Sequence, residues 1–276
     1  VCKMANGVAI TVNLERCTHC GFCAEVCPSR IIRLTSDGPE LVWAKACISC
    51  GHCVAVCPQD AMDHTRNPLA NQMDVSQVPG LDAETAERFL RTRRSIRAYT
   101  KDKVSPELLR RLLNIGRFAP TGGNSQGTSY LVISDADVLK KITAFVIDWL
   151  EEQIKQDIAW AKPYAGMAKI YRDTGYDVVL RNAPHLVMAL GDVRNPISRD
   201  NGRYALTYVE LYAPSLGLGS CWAGFFEMAL FAKHQPLIEV LDIPEGKAIA
   251  GALMLGVPKH RYQRLVDRNP LDVTIR

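Results

Sequence analysis

Apolar and polar positions follow three different rhythms along the 276 residues. In the first 65, short runs stand out: "VAITV" (8–12), "IIRL" (31–34) and "ELVW" (40–43). Their length and β-branched content predict strands of small hairpins. Residues 66–82 lose all periodicity, and Pro68, Pro79, Gly80 and several Asn and Gln predict an extended connector. Helical spacing then takes over. "AETAERFLRTRRS" (83–95) places Phe89 and Leu90 on one side of a helix. Ser105 is an N-cap with Pro106 at the first helical position, ahead of a stripe of Leu108, Leu109, Leu112, Leu113 and Ile115. Pro120 and the two glycines after it stop that helix. Pro214 falls late in a helical stretch of about 203–216, which it should kink or end. The Trp-, Tyr- and Met-rich stretch 145–180 predicts a packed helix pair, with a lid over a bound group as the alternative. Three apolar runs, 130–134, 185–191 and 248–257, are continuous rather than alternating, which predicts a sheet covered on both faces. The fold class is α+β in two domains: 1–65, then a linker at 66–82, then 83–276.

Composition narrows the function classes. With 47% hydrophobic and 22% charged residues this is an ordinary globular chain. A formal charge of +4 is too small a surplus for a nucleic-acid footprint. The longest apolar run, 249–257, is far too short to span a bilayer. The first residues lack a basic segment followed by an apolar one, so a secretory signal is not expected and a cytoplasmic setting is. The missing initial Met points to processing or to a boundary upstream.

Eight of the ten cysteines lie within 41 residues, in "CTHCGFCAEVCP" (17–28) and "CISCGHCVAVCP" (47–58). Each loop is C-x-x-C-x-x-C-x-x-x-C-P. Zinc knuckles use two pairs of ligands rather than this spacing, and disulfides do not suit it without export. Three cysteines two apart can present three thiolates to one side of an iron–sulfur cube, while the fourth reaches the other cube. The expected ligand sets are crossed: Cys17, Cys20, Cys23 and Cys57 for one [4Fe–4S] cluster, Cys47, Cys50, Cys53 and Cys27 for the second. Gly21 and Gly51 permit the close backbone approach that a cube demands. Residues 1–65 resemble a bacterial two-cluster ferredoxin.

In the second domain, Arg93, Arg94 and Arg97 around Ser95 read either as a solvated basic face or as an anion cradle. "RRSIRAYT" (93–100), then "APTGGNSQ" (119–126), "LGLGSCWAGFF" (216–226) and "LMLGVPKHRYQR" (253–264) together resemble the FMN-dependent nitroreductase family. The resemblance covers about residues 85–276. It implies an α+β sandwich in a swapped or interlocked homodimer, with FMN at the subunit interface. It places Arg93, Arg94, Ser95 and Arg97 at the FMN phosphate and ribityl chain. The turn Pro120, Thr121, Gly122, Asn124 and Gln126 would reach the neighbouring subunit's flavin, with Asn124 the foremost side chain. Backbone N–H groups near Ala223 and Gly224 would face flavin N5, and Lys259, Arg261 or Arg264 would return to the phosphate.

No catalytic side chain is expected, because a flavin carries its own chemistry. The expected activity passes electrons from two clusters to FMN and on to an electron-poor acceptor such as a nitroaromatic or quinone. The absence of a G-x-G-x-x-G fingerprint favours reduced ferredoxin as donor and leaves NAD(P)H open. The alternatives are a non-enzymatic electron carrier or sensor, and a dehalogenase-like member of the same superfamily. Cys221 reads as a packed apolar residue and His185 as a buried strand residue rather than an acid or base.

Overall fold

The structure, a computed structural model, describes residues 3–5 and 8–276. Cys2 lies outside the described residues. The chain divides into two compact units, residues 1–81 with 123–125, and residues 82–122 with 126–276.

The first unit is built on a repeat of thirty residues. β1 (Lys3–Ala5) pairs with β2 (Val8–Val12), which pairs in turn with β5 (Met62–His64); β3 (Ile32–Thr35) and β4 (Gly38–Leu41) form a separate hairpin. Two one-turn helices, α1 (Phe22–Glu25) and α2 (His52–Ala55), lie within the cysteine loops. Gly21 and Gly51 precede them in the left-handed region at φ 81° and 73°. The same repeat sets His19 with Ser49 and Arg30 with Asp60 at positive φ. The second hairpin strand sits two residues earlier than the apolar run 40–43. Thr35 pairs with Gly38 across a two-residue turn, which fixes the register, and Trp43 is left 75% exposed at the strand's end. After residue 65 the chain makes only isolated 3₁₀ turns at 69–71 and 75–77, mostly exposed.

The second unit opens with α3 (Ala83–Thr92), N-capped by Asp82 and without a buried residue. It stops three residues short of the expected 83–95. Arg93 turns extended, and the following backbone bonds elsewhere: Ile96 N–H donates to Ser220 O at 2.9 Å and Tyr99 bridges Pro258. α4 (Pro106–Asn114) has its Ser105 cap accepting from Leu108 N, and Leu112 is fully buried. Then come β6 (Ser129–Ile133), the twenty-residue α5 (Ala136–Lys155), α6 (Ala165–Thr174), β7 (His185–Asp192) and α7 (Ser198–Tyr212). Past Tyr212 the helix tightens into a 3₁₀ turn through Pro214. β8 (Gly219–Trp222), α8 (Gly224–Phe231), α9 (Gln235–Leu241) and β9 (Lys247–Gly256) complete it.

The four strands form one antiparallel sheet in the order β6-β7-β9-β8. Both faces are covered. Leu186, Met188 and Leu190 of β7 point into a core with α5, α8 and α9; Val187 and Ala189 point into a second core with α4 and α7. This period-2 division explains why the central strands are apolar throughout. α7 crosses the sheet at Gly202, where a Cβ would come within 2.4 Å of Ala250 Cβ. The segment 145–180 forms a packed α5–α6 arrangement. Trp149 stacks on Trp160 at 5.5 Å and Tyr164 meets Phe225 edge-on at 4.9 Å.

Candidate functional site

The eight loop cysteines sort into two cavities. Cys17, Cys20, Cys23 and Cys57 line one; Cys27, Cys47, Cys50 and Cys53 line the other. Each therefore takes three cysteines from one repeat and the fourth from the other, the crossed sets that the spacing predicts. All eight are free thiols. Burial, aided by its neighbours Cys17 and Cys20, pushes the Cys23 thiol up; burial, aided by Cys50 and Cys47, pushes Cys53 to about 12. Crowded, buried thiolates of like charge need a compensating cation. The backbone already turns donors toward sulfur. Ala61 N–H donates to Cys57 Sγ at 3.2 Å and Ser49 N–H to Cys47 Sγ at 3.4 Å. The Ser49 hydroxyl is buried without a partner among the described residues. Such a donor set, with left-handed glycines where the loops close, fits a cluster in each cavity.

The predicted anion-binding residues of the second unit gather in part. A groove of about 760 Å³ runs along the start of β8 and the segment after β9, and Arg94, Lys259, Arg261 and Arg264 line it. Lys259 is held there by its N–H to Ala98 O at 2.9 Å, and the Arg94 guanidinium lies 5.4 Å over the Tyr262 ring. The groove falls within the size range of small-molecule sites, and its basic lining fits a phosphate-bearing ligand.

Other predicted contacts do not line the groove themselves, although Glu210, the partner of Arg93, does. Arg93 is ion-paired at 2.9 Å to Glu210, a buried carboxylate whose other oxygen accepts from Trp222 Nε1. Its charge is thus compensated from within. Ser95 bonds to Cys221, which is buried in the core; burial raises that thiol, and Arg97 acts against the rise. Ala223 N–H is used by Ala252 O at 3.0 Å. That leaves the N-terminal end of α8, at Gly224, to supply the donors expected there. In the turn after exposed Pro120, Thr121 Oγ1 accepts from Gln126 N at 3.1 Å and Gly122 N–H donates to Asn201 Oδ1 at 3.1 Å. Asn124 belongs to the first unit, where its amide donates to Ile48 O and Ser49 O at 3.0 and 2.8 Å.

Three groups went unread in the sequence. Arg203 lies 4.5 Å over the Trp222 ring and pairs with Glu227 at 2.9 Å, while Glu227 also accepts from Ala252 N at 2.8 Å. With Glu210, these residues make Trp222 the hub between two buried carboxylates. The available signal was a pair of glutamates, 210 and 227, inside otherwise apolar helical stretches. His185 is buried and saturated: Nε2 accepts from Val104 N at 2.9 Å and Nδ1 meets Ser134 Oγ at 2.6 Å. Among the described residues no helix is long and apolar enough to cross a membrane.

Comparison with known proteins matches the same two halves. Residues 90–257 match the nitroreductase family and residues 7–62 a 4Fe-4S dicluster domain. A putative NADH dehydrogenase/NAD(P)H nitroreductase of Archaeoglobus fulgidus is 27% identical over 177 residues, 64% of this chain and 87% of the relative. Nitroreductase NfnB of Mycolicibacterium smegmatis is 29% identical over 165 residues, 50% of this chain and 70% of that protein. Among solved structures, a nitroreductase with bound FMN from Desulfitobacterium hafniense aligns with a TM-score of 0.55 at 20% identity, covering 70% of this chain and all of that one, which speaks to fold. Family match and sheet architecture agree: the chain is an oxidoreductase of the nitroreductase family that carries a 4Fe-4S ferredoxin domain at its N-terminal end.

Proposed function

We propose that this chain admits electrons at two [4Fe–4S] clusters and delivers them, by way of FMN, to an electron-poor small molecule of the nitroaromatic or quinone class. The observation that carries the reading is the sorting of eight cysteines into two four-thiol cavities in a chain whose other half is a nitroreductase domain. Converting a quinone to a hydroquinone takes two electrons and two protons, and two bound clusters would hold one electron each. FMN, when bound, supplies the step from single electrons to a two-electron transfer.

The chain's own residues do the rest. Arg94, Lys259, Arg261 and Arg264 offer charge to the phosphate of the ligand in the groove. Arg93 is not part of that charge, because Glu210 neutralises it; it braces β8 through Trp222 instead. The first turn of α8 at Gly224 offers N–H groups to an electron-rich edge. The working form is a homodimer with FMN at the interface. Large apolar side chains left bare on α3 and the final segment support this, with Leu271 85% and Ile275 89% exposed.

The test is anaerobic purification with iron, sulfide and flavin counted, followed by rapid mixing with a low-potential donor. Eight irons, eight sulfides and one FMN per chain are expected, with the clusters and the flavin reduced on comparable timescales. Cluster bleaching without flavin reduction would end the electron-inlet reading and favour a storage or sensing protein. Cys57→Ala sharpens the ligand assignment: it should abolish the cluster held by Cys17, Cys20 and Cys23 and spare the other, as two resolved EPR signals would report.

A further inference from the structure

The two halves of the cysteine repeat are alike in backbone and unlike in what they offer to sulfur. His64 is buried, 2% exposed, at the end of β5. Its Nε2 lies 3.6 Å from Cys47 Sγ, and its Nδ1 accepts from Arg66 N–H at 3.0 Å. That second bond fixes the tautomer. With Nδ1 accepting, the ring proton of the neutral imidazole is on Nε2, aimed at the sulfur. The frame around the ring is tied at several points. Asn67 N–H donates to His64 O at 3.0 Å, the Asn67 amide donates to Ser49 O at 2.8 Å, and Asp63 Oδ1 accepts from His64 N and Leu69 N. The ring is thus clamped against the loop that carries Cys47.

Thirty residues earlier the repeat has Leu34 in place of His64, 40% exposed and without a side-chain donor, its Cδ2 3.4 Å from where a Cβ on Gly21 would lie. Ser49, whose buried hydroxyl has no partner among the described residues, likewise corresponds to exposed His19. The imidazole–sulfur contact belongs to the cavity lined by Cys27, Cys47, Cys50 and Cys53; His19 lines the other cavity but makes no hydrogen bond to a cysteine sulfur among the described residues.

We propose that His64 is a positioning residue that tunes one cluster only, raising the reduction potential of the cluster held by Cys47, Cys50, Cys53 and Cys27 through an Nε2–H···Sγ bond to Cys47. An N–H donor withdraws electron density from a ligating thiolate and so favours the more negative, reduced cluster. Leu34 gives the other cluster no such bond. This rests on the two-cluster reading above.

The experiment is an EPR-monitored redox titration of the anaerobically prepared full chain and of two variants. Cys50→Ser identifies which signal belongs to the second cavity. His64→Leu makes the second repeat match the first. It should move that signal's midpoint to a more negative potential and leave the other signal in place, at an unchanged iron and sulfide count. His64→Gln, which keeps an N–H donor, should fall between wild type and His64→Leu. Two clusters with unmoved midpoints, or an equal shift in both, would overturn the proposal while sparing the electron-inlet reading. A preparation with fewer than two clusters would overturn both.

Discussion

The two units hold themselves together by different means. In the second, a four-stranded sheet buries apolar side chains on both faces, and residues such as Leu186, Val187, Met188, Leu206 and Leu253 have no exposed surface. In the first, the buried cluster consists of Ile10, Ile31, Ile32, Val54 and Met62 around Cys23 and Cys53, so cysteine sulfurs sit inside the core itself. A unit of this size with so few apolar residues cannot offset the chain entropy of its loops unaided. The lesson is that one unit keeps cysteine thiols among its few core residues, whereas the other makes its groove at the edge of an extensive apolar core.

The largest effect that could break this comparison comes from stripping iron. Chelation under oxidising conditions should unfold residues 8–65 and leave the sheet of the second unit intact. Limited proteolysis would then give a protected fragment beginning near Asp82. Protection of the cysteine loops after iron is lost would show that the apolar cluster suffices. Next in size is the Glu210 link. Glu210→Ala leaves Arg93 half-buried without its carboxylate and the Trp222 N–H without an acceptor, at a cost of about 3 kcal/mol. Chemical denaturation of the holoprotein measures it, and pairing the change with Arg93→Met should recover part of the loss. Full additivity of the two would mean that the ion pair contributes nothing.

A smaller effect is expected at Gly202. Alanine there gains about 1 kcal/mol of helix propensity, yet its Cβ meets Ala250 Cβ at 2.4 Å. Overpacking costs about 2 kcal/mol, so the net change is a loss of about 1 kcal/mol. Ala250→Gly in the same chain should restore it, whereas a stabilised single variant would show that α7 can shift on the sheet.

Gly202 also marks where the sequence stops being legible. The strands at 130–134, 185–191 and 248–257, the Ser105 cap, the break at Pro214 and the grouping of cysteines from both repeats in each cavity all follow from local rules: period, capping, ring geometry and cysteine spacing. A glycine in mid-helix opposes its own propensity, and only the contact with Ala250 explains it. Long-range pairings were opaque for the same reason. Arg93 belongs to a conspicuously basic stretch, but its partner lies 117 residues away on α7, and nothing local distinguishes an arginine reserved for a buried carboxylate from one offered to a phosphate. The end of α3 at Thr92 was hidden because the competing bonds, from Ile96 to Ser220 and from Tyr99 to Pro258, come from the far end of the chain.

The last expected effect concerns pH and separates the two units once more. Burial, with a lesser contribution from Lys103, holds His185 below the usual imidazole range. The folded state therefore keeps the ring neutral, with Nε2 accepting from Val104 and the Nδ1 proton directed to Ser134. Above about pH 7 neither folded nor unfolded chain binds a proton there, and the contribution of His185 is intact. As pH falls through the unfolded value of 6.5, the unfolded chain takes up a proton that the folded chain refuses. Stability is lost by at most about 1.4 kcal/mol per pH unit until the folded group titrates too. The midpoint of the second unit's unfolding should therefore fall between pH 7 and pH 5.5. His185→Gln, which can still accept from Val104, should start lower and fall less steeply. Equal slopes for the two proteins would show that other groups govern the acid limb and that the buried imidazole is silent.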